Sequence, residues 1–136
     1  MKKIIPAITA AFLTAVISPC ISNAQEQQEP PTVTEMAATE AERLERLLGL
    51  EYWQVFYVDS TLQHDYQAMK DELTELGKAQ VSNSSMYVAV QDKWMDRIDS
   101  TYRKYFTDSQ WKAYLKSGAA KQQKAREKRK AKSEGK

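Results

Sequence analysis

Few side chains in this sequence could do chemistry, and their spacing says more than their number. The 136-residue chain holds one histidine, His64, and one cysteine, Cys20. His64 is followed directly by Asp65. A histidine and a carboxylate can act as a general-base pair, but neighbours on a helix point about 100° apart. No dyad is expected, and His64 reads as a surface or half-buried residue. Asp92, Asp96 and Asp99 fall at i, i+4 and i+7, a spacing that gathers three carboxylates on one helix face, as a hard divalent cation would require. Lys93, Arg97 and Arg103 stand among them and no constrained loop accompanies them. The expected reading is a solvated face with no metal. Glu72 and Glu75 could serve carboxylate-only hydrolysis if another helix brought acids opposite, and nothing singles them out. Without a cysteine in the body of the chain or a glycine-rich loop, zinc clusters, thiol nucleophiles and phosphate cradles lack their residues. No catalytic residue, metal or cofactor is expected.

The residues with a definite spacing are those that start helices. Phe106-Thr107-Asp108-Ser109-Gln110-Trp111 reads as a capping box. The Thr107 hydroxyl accepts from the N–H of Gln110, the Gln110 side chain reaches back to the N–H of Thr107, and Phe106 and Trp111 occupy the two staple positions. Leu50-Glu51-Tyr52-Trp53-Gln54 repeats the apolar leader and the glutamine, with Glu51 at the cap. These two starts divide an all-α chain of about four helices. A first short helix runs from about Thr34, with Leu44, Leu47 and Leu48 on one face, and ends at Gly49 in the manner of a C′ glycine. Glu42 and Arg46 on it are spaced as a solvated i, i+4 pair. A long amphipathic second helix runs from Glu51 to about Val81. Its seam is Val55, Val58, Leu62, Tyr66, Met69, Leu73 and Leu76, at heptad-like steps of three and four. After the polar turn Ser82-Asn83-Ser84-Ser85 a third helix returns as a hairpin, with Val90, Trp94, Ile98, Tyr102 and Tyr105 on one face. The fourth starts at Thr107, buries Trp111, Tyr114 and Leu115, and meets Gly118. From Ala119 on the apolar pattern stops, so a basic, solvent-exposed, fraying helical extension is expected.

The first residues read as an export signal: Lys2 and Lys3, an apolar run from Ile4 to Ile17, then small residues to Ala24. The run is shorter than the roughly 20 apolar residues that span a bilayer, and Pro19 before Cys20 is a poor context for lipid attachment. Cleavage after Ala24 is the expectation, with 1–24 the signal, 25–33 a disordered leader rich in Gln, Glu and Pro, 34–118 the helical domain and 119–136 the basic tail. That places the mature protein in the periplasm or outside the cell. Without Lys2 and Lys3 the chain would be neutral, since the whole has 20 basic and 18 acidic residues. It is nevertheless polarised. From Lys116 on there are nine basic residues against Glu127 and Glu134. Such a tail lacks the interleaved aromatics of a nucleic-acid arm. It reads either as a solubilising extension or as steering charge for acidic partners or an anionic membrane surface, held by weak contact.

A small domain cannot cover every aromatic it carries, and Tyr and Trp suit partly wet contacts. Trp53, Phe56, Tyr57, Trp94 and Trp111 are therefore the candidate floor of an interaction surface, with Lys121, Lys124, Arg126 and Arg129 as steering charge. A second copy of the chain or a client protein would bury the surplus.

The two helix starts, Leu50 to Gln54 and Phe106 to Gln110, 56 residues apart, resemble the Leu-Thr-x-x-Gln motif of the Spy/CpxP family of periplasmic proteins. Glu51 replaces the threonine of the first copy and Phe106 the leucine of the second. The resemblance implies a thin, curved helical dimer that acts without ATP. Such a protein is a holdase-like chaperone or envelope-stress adaptor, binding incompletely folded clients on a concave surface. Only Leu50, Gln54, Phe106, Thr107 and Gln110 match the motif, and the role it implies for them is structural capping. The competing expectation is a dedicated envelope scaffold protein that pairs with one partner through the Val55 to Leu76 seam.

Overall fold

The computed structural model describes residues 29–135. The export signal expected at 1–24 and the first residues of the leader lie outside them. The described chain is all-helical, with no strand among its residues.

Helix α1, Val33–Leu48, starts one residue earlier than its composition suggested because Thr32 and Glu35 form a capping box of their own. Glu35 Oε2 accepts from the Thr32 N–H at 2.7 Å, and the Thr32 hydroxyl accepts from the Glu35 N–H at 3.2 Å. The Thr32 N–H, and the Thr32 hydroxyl donating to the same Oε2 at 2.9 Å, hold the Glu35 carboxyl below the usual carboxylate range. The buried face is Val33, Ala37, Ala41, Leu44 and Leu48. Leu47, expected on that face, is 44% exposed. The alanines at i and i+4 carry the stripe in place of Leu47, since a small side chain lets the facing helix approach closely. Gly49 ends α1 at φ +61°, its N–H bonded to the Glu45 carbonyl at 2.9 Å, a left-handed position where glycine costs least.

Helix α2, Tyr52–Lys78, packs along both α1 and helix α3, Ser84–Tyr105. Val58 and Leu62 are fully buried between them, with Val55 and Tyr66 partly so. α2 stops three residues short of Val81 because Gln80 turns left-handed at φ +52°. The expected hairpin with α3 is present. Its rungs run antiparallel: Gln54 reaches the Tyr105 carbonyl, Arg97 faces Asp65 and Lys93 pairs with Glu72.

Helix α4, Asp108–Tyr114, begins at the Thr107 box as expected. The ring contacts of Phe106 are with Tyr102 (5.0 Å) and Tyr114 (5.9 Å). Trp111 turns instead against Tyr114 at 5.4 Å. A wide π-turn, Leu115–Ala119, follows, with Gly118 at φ +117°, a conformation essentially reserved for glycine. Helix α5, Ala120–Glu134, leaves this kink and lies back along α3. The basic extension expected to be free and fraying is therefore docked. Its contact was invisible to an apolar-pattern reading because it is made of charge. One core, from Ala37, Leu44 and Leu50 through Val58, Leu62 and Ile98 to Tyr102, Phe106 and Tyr114, holds the helices together.

Candidate interaction surface and the paired motifs

The two motif copies meet. Gln54 Nε2 donates to Gln110 Oε1 at 2.7 Å, and Gln110 Nε2 returns to Gln54 Oε1 at 3.1 Å. Each amide oxygen also closes its own helix start, accepting from the Glu51 N–H at 2.9 Å and the Thr107 N–H at 3.0 Å. The second amide hydrogen of Gln54 goes to the Tyr105 carbonyl at 2.8 Å. A glutamine amide has two donors and one two-lone-pair acceptor, and Gln54, 2% exposed, uses all of them. Leu50 and Phe106, the apolar leaders, are buried on either side. The capping expected of these five residues thus extends to a tertiary bond: the same glutamines that start α2 and α4 tie the two starts together.

That tie presents an aromatic surface. Beside Gln54, the first turns of α2 expose Tyr52 (89%), Trp53 (47%), Phe56 (60%) and Tyr57 (46%). Tyr57 stacks on Tyr105 at 5.1 Å, and Phe56 and Trp53 stand edge-on to it at 5.6 and 6.3 Å. Trp53 Nε1 donates to Glu51 Oε2 at 2.6 Å, which pins the indole while leaving its face open. Tyr52, absent from the expected floor, is the most exposed of the four. Its position one residue past the cap, away from the buried face, was the available signal.

The other two aromatics of the expected floor are elsewhere. Trp94 lies eleven residues before Tyr105, about 16 Å along α3. Its Nε1 donates to Glu72 Oε2 at 3.2 Å, and Lys93 and Arg97 sit over its ring at 5.2 and 5.3 Å. Lys93 also holds the Glu72 carboxyl below its ordinary pKa. Trp111 lies under Arg103 at 5.7 Å and borders a cavity of about 540 Å³ with Asp99 and Gln123. Trp53, Phe56 and Tyr57 are brought together; Trp94 and Trp111 form separate environments.

The aspartates of α3 are not a solvated face. Asp99 is buried, accepting from the Tyr114 hydroxyl at 2.6 Å, from Gln123 Nε2 at 3.0 Å and from the Arg126 guanidinium. Arg126 Nε also donates to Asp96 at 2.5 Å, and Arg129 makes a two-pronged pair with Asp92, both bonds at 2.7 Å. The neutralising cations are thus those of α5, twenty to forty residues away, and not the neighbours Lys93, Arg97 and Arg103. Arg126 is 5% exposed. Burial works to lower its pKa, but the hydrogen bond to Asp96 and the charges of both aspartates hold it above the ordinary value. Arg126 is therefore no steering charge, and Arg129 is committed to Asp92; Lys121 and Lys124 remain exposed. Among the described residues no group of three or more His, Cys, Asp or Glu is arranged to hold a metal ion.

His64 and Asp65 do associate, against the expectation from their adjacent positions. Side-chain torsions bring His64 Nδ1 to 2.8 Å from Asp65 Oδ1. Arg97 Nε lies 3.4 Å from the same oxygen. Asp65 is buried while His64 is open to solvent, so the carboxylate links α2 to α3 with the imidazole at its outer edge. No described helix is long and apolar enough to cross a membrane. The chain has no match among family models, curated proteins or solved structures.

Proposed function

We propose that this is an exported, ATP-independent, chaperone-like protein that holds unfolded or partly folded clients on the aromatic surface at the start of α2, without catalysis. The observation that carries the reading is the open cluster of Tyr52, Trp53, Phe56 and Tyr57. Four large aromatics on two turns of one helix are more than a small soluble domain leaves bare without use. Non-directional apolar burial accepts many sequences at modest affinity, and flat rings over a rigid, capped helix start offer it at little ordering cost. The paired glutamines support kinship with the Spy/CpxP family, since they supply a physical reason for two Gln-ended motifs in one chain. On this reading the protein works in the periplasm or outside the cell, after removal of the segment ending near Ala24.

A test follows an unrelated unfolding protein by light scattering, with stoichiometric amounts of this protein and no nucleotide. Aggregation is expected to fall, and Trp53→Ala with Phe56→Ala to lose most of that effect while circular dichroism stays unchanged. A folded sample that leaves aggregation untouched sinks the proposal. It would favour the second reading, a dedicated envelope scaffold protein. Its partner would meet these rings rather than the Val55 to Leu76 seam, since Val58 and Leu62 of that seam are buried against α1 and α3; capture from its own envelope would then identify that partner.

A further inference from the structure

α5 sorts all but one of its cations by chemistry, the exception being Lys130, which is exposed at an α3-side phase of the helix with no ion pair among the described residues. The two arginines, Arg126 and Arg129, face α3 and are consumed by Asp92, Asp96 and Asp99. The opposite face carries lysines only. Lys121, Lys124, Lys128 and Lys132 fall within an arc of about 80° at 100° per residue, along about 16 Å of helix. All four are exposed, and none joins an ion pair among the described residues. Glu127 and Glu134 lie off this arc, about 60° and about 80° from its edge. The helix is held at a fixed roll by Gln123, Arg126 and Arg129, so the lysine face has a fixed direction rather than sweeping round as on a free tail.

From this sorting we infer that the outer face of α5 is a docking surface for an anionic phospholipid membrane, separate from the aromatic cluster and independent of its use. A stripe of ammonium groups with only alanine between and beside them has no apolar residue to insert and no pocket to enclose a side chain. Lysine keeps its water more tenaciously than arginine and is depleted from protein interfaces, where arginine is enriched. A hydrated layer of phosphate headgroups asks for neither dehydration nor shape, and a row of point charges near it gains on every lysine. An acidic polypeptide would favour the forked geometry of arginine, and both arginines are turned inward. A nucleic acid would add stacking to rings, and α5 has none.

The experiment is flotation of the protein, as isolated from the cells that make it, with vesicles of phosphatidylcholine alone or with added phosphatidylglycerol. Binding is expected only to the anionic vesicles and to fall as salt is raised. Each stripe lysine changed to glutamine should weaken it about fivefold, and K121Q/K124Q/K128Q/K132Q should abolish it with helicity intact. The same number of charges removed off the stripe, K70Q/K78Q/K112Q/K130Q, should leave most of the binding. Equal loss in the two quadruple variants overturns the proposal by showing a net-charge effect. So does binding to neutral vesicles that the stripe variant retains, or binding to soluble polyglutamate or an oligonucleotide with none to anionic vesicles.

Discussion

At the scale of single residues three buried polar atoms lack a hydrogen-bond partner among the described residues, Asp59 Oδ1, Asp65 Oδ2 and the Tyr102 hydroxyl, and only the last sits on an aromatic ring of the core. The Tyr102 hydroxyl is buried with no hydrogen-bond partner among the described residues, its ring stacked on Phe106 and edge-on to Tyr114 at 5.5 Å. An unsatisfied buried hydroxyl costs free energy that its ring does not need to spend. Tyr102→Phe should therefore be neutral or stabilise by up to about 1 kcal/mol, read in a urea titration; a loss above that would mean the hydroxyl has a partner. The same residue sets an alkaline limit. Burial pushes the Tyr102 phenol far above the ordinary tyrosine range, and burial together with the bond to Asp99 does the same for Tyr114. The folded state keeps both protonated while the unfolded chain ionises near pH 10. Stability is thus whole below that pH and is lost as pH rises through it, toward the raised folded values. Thermal melts between pH 8 and 11 should show the fall, and it should be smaller in Tyr102→Phe.

Among the elements, two polar junctions do what apolar seams usually do. The Gln54 to Gln110 pair joins α2 and α4 across their first turns. Gln54→Ala would leave the Tyr105 carbonyl and the Glu51 N–H short of partners and should cost about 2 kcal/mol. In a double-mutant cycle with Gln110→Ala the two losses should overlap by about 1 kcal/mol; strict additivity would show that the amides act only as separate caps. The second junction is α5 on α3. Arg126→Ala strands Asp99 with one cation fewer in a buried site and should cost about 3 kcal/mol. Urea denaturation checks it, and a loss within error would mean α5 is undocked in solution. Ending the chain before α5 should likewise lower the melting temperature of the remaining helices, because the buried Asp99 would lose both Gln123 and Arg126.

Over the whole molecule, the aromatic cluster of α2 and the lysine stripe of α5 are kept apart. The aromatic cluster stands where α2 begins, against Tyr105 at the α3 end. The lysine face runs along the outside of α5, whose inner face is locked to the middle of α3 by Asp92, Asp96 and Asp99. On the proposed readings, a client would be held at one end of the hairpin while another face meets an anionic layer. The cluster and the stripe can be removed independently, because Trp53 and Phe56 share no bond or ring contact with Lys121 to Lys132.

The sequence by itself determined the helices and their starts. Capping boxes and hydrophobic periods act over three or four residues, and the Thr107 to Gln110 box, the Val58 and Leu62 seam and the Gly49 stop are all local grammar. The box at Thr32 and Glu35 was equally local and equally readable. Only the tertiary structure decided how Gln54 and Gln110 spend their remaining donors, since that depends on two helix starts meeting in space. It also decided that Arg126 would be buried. A charged residue on a polar helix looks solvated until a facing helix presents carboxylates at matching intervals, and the interval of α3 aspartates matches α5 only because Gly118 opens the turn that folds α5 back. Trp94 and Trp111 were separated from the aromatic cluster for the same reason. Ring type and helical phase are written in the chain, whereas the side of the bundle on which a ring emerges is set by how the helices cross.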